Sequence, residues 1–284
     1  MSGFLDEMAR LSALRAGQAM ARESLAALEQ RARAVPPGPP LRLSAAGFDV
    51  IAELKLRSPA AGQLGSQSDD WLARVKAYAQ GGAAAVSVLT EPSRFDGSLQ
   101  HLEQACAALA PFGVPAMRKD FLVDPYQVLE ARAAGAGGVL VIVRMLSRAQ
   151  MMDLLDASAE HGLFVLLEAF DGADLAAARE LLAGRGGRRS ARAGSGAARN
   201  EDILVGINSR DLQTLEVVPE RFELLAPELP GDRPAVAESG VACAADAQRM
   251  KRLGFRLALI GTALMSRDDP AQLLREILAT TRTA

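Results

Sequence analysis

The sequence predicts an α/β protein in which eight strand–helix units close into a (β/α)8 barrel, the TIM-barrel architecture, behind an N-terminal helical extension. Short apolar runs alternate with longer amphipathic stretches throughout residues 48–284. Most of the short runs are continuously apolar, which is typical of strands covered on both faces in a parallel sheet. Eight such units in about 235 residues match the size of a barrel. The competing fold, an open doubly wound sheet, usually has fewer strands, and no GxGxxG follows the first strand.

The helical extension and its linker are predicted to occupy residues 1–47. Apolar side chains at Phe4, Met8, Leu11 and Leu14 recur at helical spacing, so one or two amphipathic helices are expected up to about residue 33. A proline-rich linker at 35–40 then stops helix formation. The barrel is expected to fill residues 48–284.

The predicted barrel strands have helix start signals between them. The strands are expected at 50–54, 84–90, 115–119, 138–143, 164–169, 203–208, 234–239 and 257–262. Asp70, Asp124 and Asp171 each precede an amphipathic run, and Asp124 is followed by proline, the residue favoured at the first helical position. Glycines such as Gly135 close helices before the next strand.

One segment, 184–200, interrupts the alternation. It contains five arginines and five glycines without apolar periodicity, so a flexible surface insertion is expected on the barrel face opposite the active site. Such a tract can bind RNA or an anionic surface, but a solvated loop is the simpler interpretation. The formal net charge of −2 likewise gives no reason to expect a nucleic-acid partner.

The composition excludes several other classes of protein. No apolar run approaches the ~18 residues of a membrane span, and acidic residues stand where a signal peptide would be basic. The only two cysteines, Cys106 and Cys243, suit neither a zinc site nor a disulfide framework. We therefore expect a cytoplasmic protein without a membrane anchor.

Charged side chains stand at the ends of several predicted strands. Glu53 and Lys55 are two residues apart, so both point to the same face of the first strand. Lys119, Glu168 and Glu238 end the third, fifth and seventh strands, on the face where barrel enzymes assemble their active sites. Because buried ionised groups are tolerated when they are paired, these residues are expected to form a network suited to acid–base catalysis.

A phosphate site is expected beside this network. Ser239-Gly240 and Gly261-Thr262 place small residues and backbone N–H groups after the seventh and eighth strands, where barrels recurrently bind phosphate. The sequence contains no His/Cys cluster, Walker loop or nucleophile elbow. The residues therefore predict acid–base chemistry on a small phosphorylated molecule, without a metal or other cofactor.

Seven blocks of sequence resemble the indole-3-glycerol phosphate synthase family. They are IAELKLRSPAAG at 51–62, AVSVLTEPSRFDGS at 85–98, RKDFLVDPYQVLEARAAGA at 118–136, LLEAFD at 166–171, VGINSRDLQTLEV at 205–217, VAESGV at 236–241 and LIGTALM at 259–265. The resemblance implies ring closure of 1-(2-carboxyphenylamino)-1-deoxyribulose 5-phosphate to indole-3-glycerol phosphate, with loss of carbon dioxide and water, in tryptophan biosynthesis.

The resemblance also implies roles for the charged residues. Lys119 would protonate the alkoxide that forms at ring closure, and Lys55 would bind the substrate carboxylate and assist proton transfer. Glu168 would act as general acid/base in the dehydration, while Glu53 would orient the lysines. Which lysine protonates at which step stays open, because coupled groups can share a proton.

The other implied site residues bind the substrate. Asn208, Arg210 and Glu238 would contact substrate hydroxyls or hold the catalytic groups. An apolar wall for the aromatic ring would comprise Phe95, Phe121, Leu140, Leu212 and Leu259, and the phosphate would be held by Ser58, Ser239, Gly240, Gly261 and Thr262. Packing in the barrel core is the alternative for the five apolar residues, and at Leu140 the two interpretations have equal weight.

The chain departs from the family pattern at three motifs, one of which is Gly135-Ala136-Gly137 in place of Gly-Ala-Asp, away from the site residues. Asn208-Ser209-Arg210-Asp211 stands where the family often has Asn-Asn-Arg-Asp, and Glu168-Ala169-Phe170-Asp171 where it commonly has Glu-Val-His-Asp. Two other functions stay open: another phosphate-binding biosynthetic barrel enzyme, and a non-catalytic barrel that binds a phosphometabolite or acts as a scaffold. A binding module, however, has no need of four aligned proton-transfer groups.

Overall fold

A computed structural model of the chain describes residues 3–45, 47–58, 62–63, 70–185, 203–211 and 214–282. Within these ranges, eight parallel strands pair in sequence order, and the last pairs with the first to close a barrel. The barrel strands are β1 (Asp49–Leu54), β2 (Ala85–Leu89), β3 (Ala116–Lys119), β4 (Gly138–Ile142), β5 (Phe164–Ala169), β6 (Ile203–Asn208), β7 (Ala235–Glu238) and β8 (Leu257–Ile260). The predicted fold class is confirmed.

Helices surround the barrel and precede it. The α-helices are α1 (Phe4–Arg22), α2 (Leu25–Ala34), α3 (Trp71–Gln80), α4 (Pro92–Phe95), α5 (Leu99–Leu109), α6 (Pro125–Ala133), α7 (Arg148–Glu160), α8 (Gly172–Arg185), α9 (Arg221–Leu225), α10 (Ala244–Arg252), α11 (Thr262–Met265) and α12 (Pro270–Arg282). The aspartate start signals are confirmed. Asp70 accepts a hydrogen bond from the first turn of α3, and Asp124 forms a reciprocal capping box on α6.

The alternation of side chains along each strand builds two apolar layers. Along β1, Val50, Ala52 and Leu54 pack outward against the helices, whereas Ile51 points into the barrel. Both faces of the strand are therefore covered, which explains its continuous apolar sequence. Glu53 follows Ile51 on the inward-facing row, so the same alternation aims a carboxylate into the barrel.

The N-terminal helices α1 and α2 pack on different parts of the barrel. Met8 of α1 is fully buried in the inner apolar cluster, so this helix lies over one end of the barrel interior. α2 packs on α6 through Leu28 and Ala32. The predicted apolar face of α1 is wrong at Leu14, which is 52% exposed, because the buried face continues through Ser12 and Ala16 instead.

The helix α8 reaches into the segment assigned to the Arg/Gly insertion. Gly184 and Arg185 continue this helix, because the preceding Leu181 and Leu182 are buried and hold its last turns on the core. The rest of the insertion, 186–200, lies outside the described residues. Among the helices of the described ranges, none has both the length and the apolar character that a bilayer span requires.

Candidate active site

A cavity of about 440 Å³ opens at the end of the barrel where the strands finish. Nearly all residues predicted for the site line it: Glu53, Lys55, Phe95, Lys119, Phe121, Leu140, Glu168, Asn208, Arg210, Glu238, Ser239, Gly240, Leu259, Gly261 and Thr262. The two exceptions cannot be placed, because Leu212 and the side chain of Ser58 lie outside the described part of the chain. The barrel thus brings together residues from positions far apart in sequence.

The register between adjacent strands places these side chains at similar heights along the barrel. Asn208 on β6 lies opposite Glu238 on β7, and Gly206, two residues earlier on β6, lies opposite Glu168 on β5. Side chains two residues apart on a strand share a face, so Gly206 and Asn208 both point inward. Gly206 has no side chain, and a Cβ there would collide with the carboxyl group of Glu238. This glycine therefore makes room for the acidic side chain.

Lys119 is the cation at the centre of the charged network. Its Nζ lies 3.3 Å from Oε2 of Glu168 and 3.8 Å from Oε2 of Glu238. Asn208 donates a hydrogen bond of 3.1 Å to the other oxygen of Glu168. Burial alone would lower the pKa of Lys119, but the Glu168, Glu238 and Glu53 carboxyl groups outweigh burial and raise it above its ordinary value. Lys119 is therefore held in its charged form.

Glu53 and Lys55 form a second ion pair on the same wall. Their Oε1 and Nζ atoms are 2.9 Å apart, and both side chains are mostly buried. Burial by itself would raise the pKa of Glu53, but the charges of Lys55 and Lys119 lower it below the ordinary value. Glu53 is thus an ionised carboxylate that holds Lys55 toward the cavity.

Glu238 behaves in the opposite way. It is 1% exposed, and neither of its carboxyl oxygens has a hydrogen-bond donor among the described residues. Burial raises its pKa well above the ordinary value, and the neighbouring charge of Glu168 raises it further. The site therefore contains buried carboxyl groups with opposite tendencies to ionise, which is a feature of acid–base active sites.

In the described part of the loop after β6, hydrogen bonds between side chains and main-chain groups hold Asn208 and Arg210. The backbone N–H of Arg210 donates to Oδ1 of Asn208, which sets the orientation of that amide. The Arg210 guanidinium donates to the carbonyl oxygen of Leu215 at 2.6 Å. Arg221 of α9 in turn donates to the carbonyl oxygens of Asn208 and Arg210. Arg210 is thereby held at the rim with its charge beside the cavity.

Aromatic side chains form the apolar wall. Phe95 and Phe121 have ring centroids 6.1 Å apart, and Phe4 of α1 meets Phe121 edge to face at 5.8 Å. Leu140 and Leu259 belong to the inner apolar cluster and also line the cavity. Core packing and cavity lining therefore coincide at these two leucines.

Sequence reasoning missed several lining residues, notably Phe4, Leu5, Phe170, Leu215 and Val217. Phe170 was visible only as a departure from a family motif. The Arg144 guanidinium lies 4.7 Å above its ring and holds this aromatic side chain in place. Phe4 and Leu5 were assigned to an amphipathic helix, but periodicity alone does not indicate where such a helix docks.

The predicted phosphate end has an unusual backbone. Ser239 and Gly240 have φ values of +65° and +85°, so both adopt the left-handed conformation that is costly for a non-glycine residue. Ser209 donates a hydrogen bond of 3.0 Å to the carbonyl oxygen of Ser239 and supports this turn. The helix that follows this turn, α10, begins only at Ala244. Thr262, in contrast, does open α11.

The described residues include no group of three His, Cys, Asp or Glu side chains that could hold a metal ion. The expectation of a reaction without a metal or other cofactor stays a prediction.

Gly261 should not tolerate a side chain. A Cβ at this position would collide with the Glu53 carboxyl group, so we expect Gly261→Ala to lower the free energy of unfolding by about 1–3 kcal/mol through overpacking. Gly17→Ala is the matched control, since nothing lies within 4 Å of a Cβ there and alanine in a helix stabilises by up to about 1 kcal/mol. Urea unfolding measures both, and equal stability of Gly261→Ala and the parent would contradict the collision.

Several solved structures have a similar fold. The chain matches 3-hexulose-6-phosphate synthase from Salmonella typhimurium with a TM-score of 0.59 and 14% identity, over 82% of this chain and 98% of that one. It matches orotidine 5'-phosphate decarboxylase from Pyrococcus horikoshii with a TM-score of 0.57 and 12% identity, over 83% and 100% of the two chains. At such low identity these matches support the fold alone.

Sequence relatives are much closer. The chain is 42% identical to indole-3-glycerol phosphate synthase from a Nocardioides species over 85% of both chains. It is also 42% identical to the enzyme of that name from a Parafrankia species, over 90% of this chain and 87% of the relative. The Mycobacterium tuberculosis relative is 36% identical over 94% and 92%.

The family model described as indole-3-glycerol phosphate synthase matches residues 7–185 and 196–277. The gap between the two matched ranges falls inside the Arg/Gly-rich segment, while every described lining residue after α1 lies within a matched range. The chain therefore belongs to the indole-3-glycerol phosphate synthase family.

Proposed function

We propose that this protein catalyses ring closure of 1-(2-carboxyphenylamino)-1-deoxyribulose 5-phosphate to indole-3-glycerol phosphate. The observation that carries the proposal is the position of Lys119, a charged and largely buried ammonium group 3.3 Å from Glu168 in a cavity with an aromatic wall. A cation held in a low-dielectric site stabilises negative charge that develops on a reacting oxygen. Ring closure at a ketone carbon generates such a charge.

The two ends of the cavity suit the two ends of this substrate. The aromatic ring would lie against Phe95 and Phe121, with its carboxylate beside Lys55. The phosphate would lie at the turn formed by Ser239 and Gly240, beside Gly261 and Thr262 at the end of the neighbouring strand β8. Binding at both ends would hold the ring carbon against the ketone, and such orientation supplies a large part of the rate acceleration in ring closures.

Lys119 would act in the first chemical step. The ring carbon that bears the carboxylate attacks the ketone, and the ketone oxygen becomes an alkoxide. Proton transfer from an ammonium group to an alkoxide is downhill, because the conjugate alcohol is the weaker acid. Burial lowers the pKa of Lys119, but the neighbouring carboxyl groups, above all Glu168, raise it by more. The proton therefore stays on Lys119 until the alkoxide forms.

Glu168 would serve the last step. After carbon dioxide leaves, the hydroxyl departs as water and a proton is removed from the neighbouring ring carbon. Glu168 is the general acid/base of this dehydration, and Asn208 orients it through the 3.1 Å hydrogen bond to Oε1. Glu53 holds Lys55 in position through the ion pair between them.

The partner of the site is thus a small phosphorylated molecule. Cys106 and Cys243 are both free thiols, which fits the reducing cytoplasm in which we place the protein. The scaffold alternative offers no reason for a lysine surrounded by three buried carboxyl groups, whereas proton transfer does.

An assay of the purified full chain tests the function. Incubation with the carboxyphenylamino sugar phosphate should generate indole fluorescence at a rate that saturates with substrate. Other sugar phosphates serve as the comparison, and they should give no turnover. Binding of the substrate without any formation of indole would refute the enzyme assignment and favour the scaffold alternative.

A further inference from the structure

Two carboxyl groups compete for one cation in the cavity. Glu168 and Glu238 lie on neighbouring sides of Lys119, at 3.3 and 3.8 Å from its Nζ, and both are almost fully buried. The 3.8 Å separation is too long for a hydrogen bond. Two buried carboxylates at one site are strongly disfavoured, since like charges repel in a medium of low dielectric constant.

The hydrogen-bond pattern of Glu238 requires a proton. With every carboxyl group ionised, neither oxygen of Glu238 has a donor among the described residues, whereas a hydrogen bond from Glu168, which lies against the same ammonium group, would supply one. Two carboxylates cannot make that bond, because both only accept. A single proton between them satisfies both groups and removes the repulsion.

The cavity lining makes room for the Glu238 carboxyl group. Gly206 carries no side chain, and a Cβ there would occupy the place of a Glu238 oxygen. The other charged groups that line the cavity are Glu53, Lys55, Asp120 and Arg210. Glu53 and Lys55 neutralise one another at 2.9 Å, and Asp120 is paired with Arg15 and Arg118.

We propose that Glu168 and Glu238 hold one proton between them in the resting protein, and that this proton recharges Lys119 after ring closure. This inference rests on the proposed function, and it concerns a step that the function does not specify. Burial, and then the charge of Glu168, raises the pKa of Glu238, in agreement with a carboxyl group that is neutral in the resting state.

The proton balance of the reaction calls for such a reserve. Protonation of the alkoxide moves one proton from Lys119 Nζ to the substrate, and that proton is not returned. The departure of carbon dioxide moves no proton, and the dehydration takes up one proton and releases one. Lys119 is then a neutral amine. The shared proton passes from Glu238 through Glu168 to Nζ, which is downhill because an ammonium group is a weaker acid than a carboxylic acid, and solvent reloads the pair.

Infrared spectroscopy of the full chain tests the resting state without reference to turnover. At neutral pH the wild type should show the carbonyl stretch of a protonated carboxylic acid, shifted in heavy water, and Glu238→Gln should lack it. Glu103→Gln on the exposed face of α5 is the control and should retain the band. A wild type that turns substrate over without this band would overturn the inference and leave the function standing. A band without turnover would refute the function and leave only the shared proton of the resting protein.

The pH dependence of kcat/KM tests the charge of Glu238 in the working protein. If Glu238 is neutral, glutamine replaces it without a change in charge but removes the transferable proton. We expect about a 100-fold lower kcat and an alkaline limb at the same pH as in the wild type, because the charge beside Lys119 is unchanged. If Glu238 is instead ionised at rest, glutamine removes a negative charge beside Lys119, the pKa of Lys119 falls, and the alkaline limb moves to lower pH. A limb that moves to lower pH would therefore overturn the inference.

Stability against pH gives a readout that survives a loss of activity. A carboxyl group whose pKa is raised by folding stabilises the native state least at high pH, because the native state binds more protons than the unfolded chain. The stability of Glu238→Gln relative to the wild type should therefore increase with pH, starting near the ordinary value of 4.5. A relative stability that decreases over the same range would contradict a neutral Glu238. Glu238→Leu, measured in the same way, replaces Glu238→Gln if the latter does not fold.

Discussion

Replacement of Lys119 by methionine should lower kcat/KM by about 10³-fold or more. Lys119 is the charged donor nearest to Glu168 in the cavity, so the variant loses both the proton donor and the positive charge that stabilises the alkoxide. General acid catalysis contributes about 10²–10⁴-fold, and loss of electrostatic stabilisation adds to that effect. Methionine keeps most of the side-chain volume, so the cavity should keep its shape.

Product binding separates a chemical defect from a folding defect. The Lys119→Met variant should bind indole-3-glycerol phosphate within about tenfold of the wild type, since the aromatic wall and the phosphate turn are intact. Lys76→Met, on the exposed side of α3, is the matched control and should leave both quantities unchanged. If Lys119→Met retained more than a tenth of the wild-type rate, Lys119 would not be the acid for ring closure.

Replacement of Arg15 by alanine should weaken both stability and substrate binding. Arg15 of α1 lies 3.3 Å from Glu91 and 2.7 Å from Asp120, and both carboxylates are fully buried. Removal of one member of a buried ion pair costs about 3–5 kcal/mol. Here Arg15 is 27% exposed and Asp120 keeps its bonds to Thr90 and Arg118, so we expect about 2 kcal/mol.

The loss of stability in Arg15→Ala should be concentrated at the mouth of the cavity. α1 carries Phe4 and Leu5, which line the cavity, and Asp120 directly follows Lys119. A loosened α1 should raise KM by about tenfold, the equivalent of 1.4 kcal/mol, and accelerate amide hydrogen exchange in α1 more than in the barrel strands. Arg10→Ala on the exposed side of α1 is the control. If Arg15→Ala unfolds in urea at the same concentration as Arg10→Ala, the ion pairs do not hold the helix in place.

The barrel strands and their charged ends were readable because a strand has a fixed period. Once the apolar runs are recognised as strands, Glu53 must share a face with Ile51, and the end of a barrel strand must lie in the mouth of the barrel. The resemblance to a known family then added roles to these positions. All residues of the predicted site whose side chains the structure describes line one cavity, while their individual roles await the experiments above.

Other features depend on distances that no pattern in the sequence encodes. The docking direction of α1 places Phe4 in the cavity and leaves Leu14 exposed, although both belonged to the same predicted apolar face. The ion pairs of Arg15 with Glu91 and Asp120 join residues more than 70 positions apart. Phe170 lies in the apolar wall with the Arg144 guanidinium over its ring.

The sequence alone thus determined the (β/α)8 barrel, the strands that carry Glu53, Lys55, Lys119 and Glu168, and the family to which they point. These follow from local periodicity and from motifs, which act over a few residues. The tertiary structure decided which groups meet and how strongly they interact. Glu168 and Glu238 are 70 residues apart in the chain, and only the closed barrel brings both to Lys119. Electrostatic energy depends on the separation and burial of charges in space, so the proton that these two groups hold could be inferred only from the folded molecule.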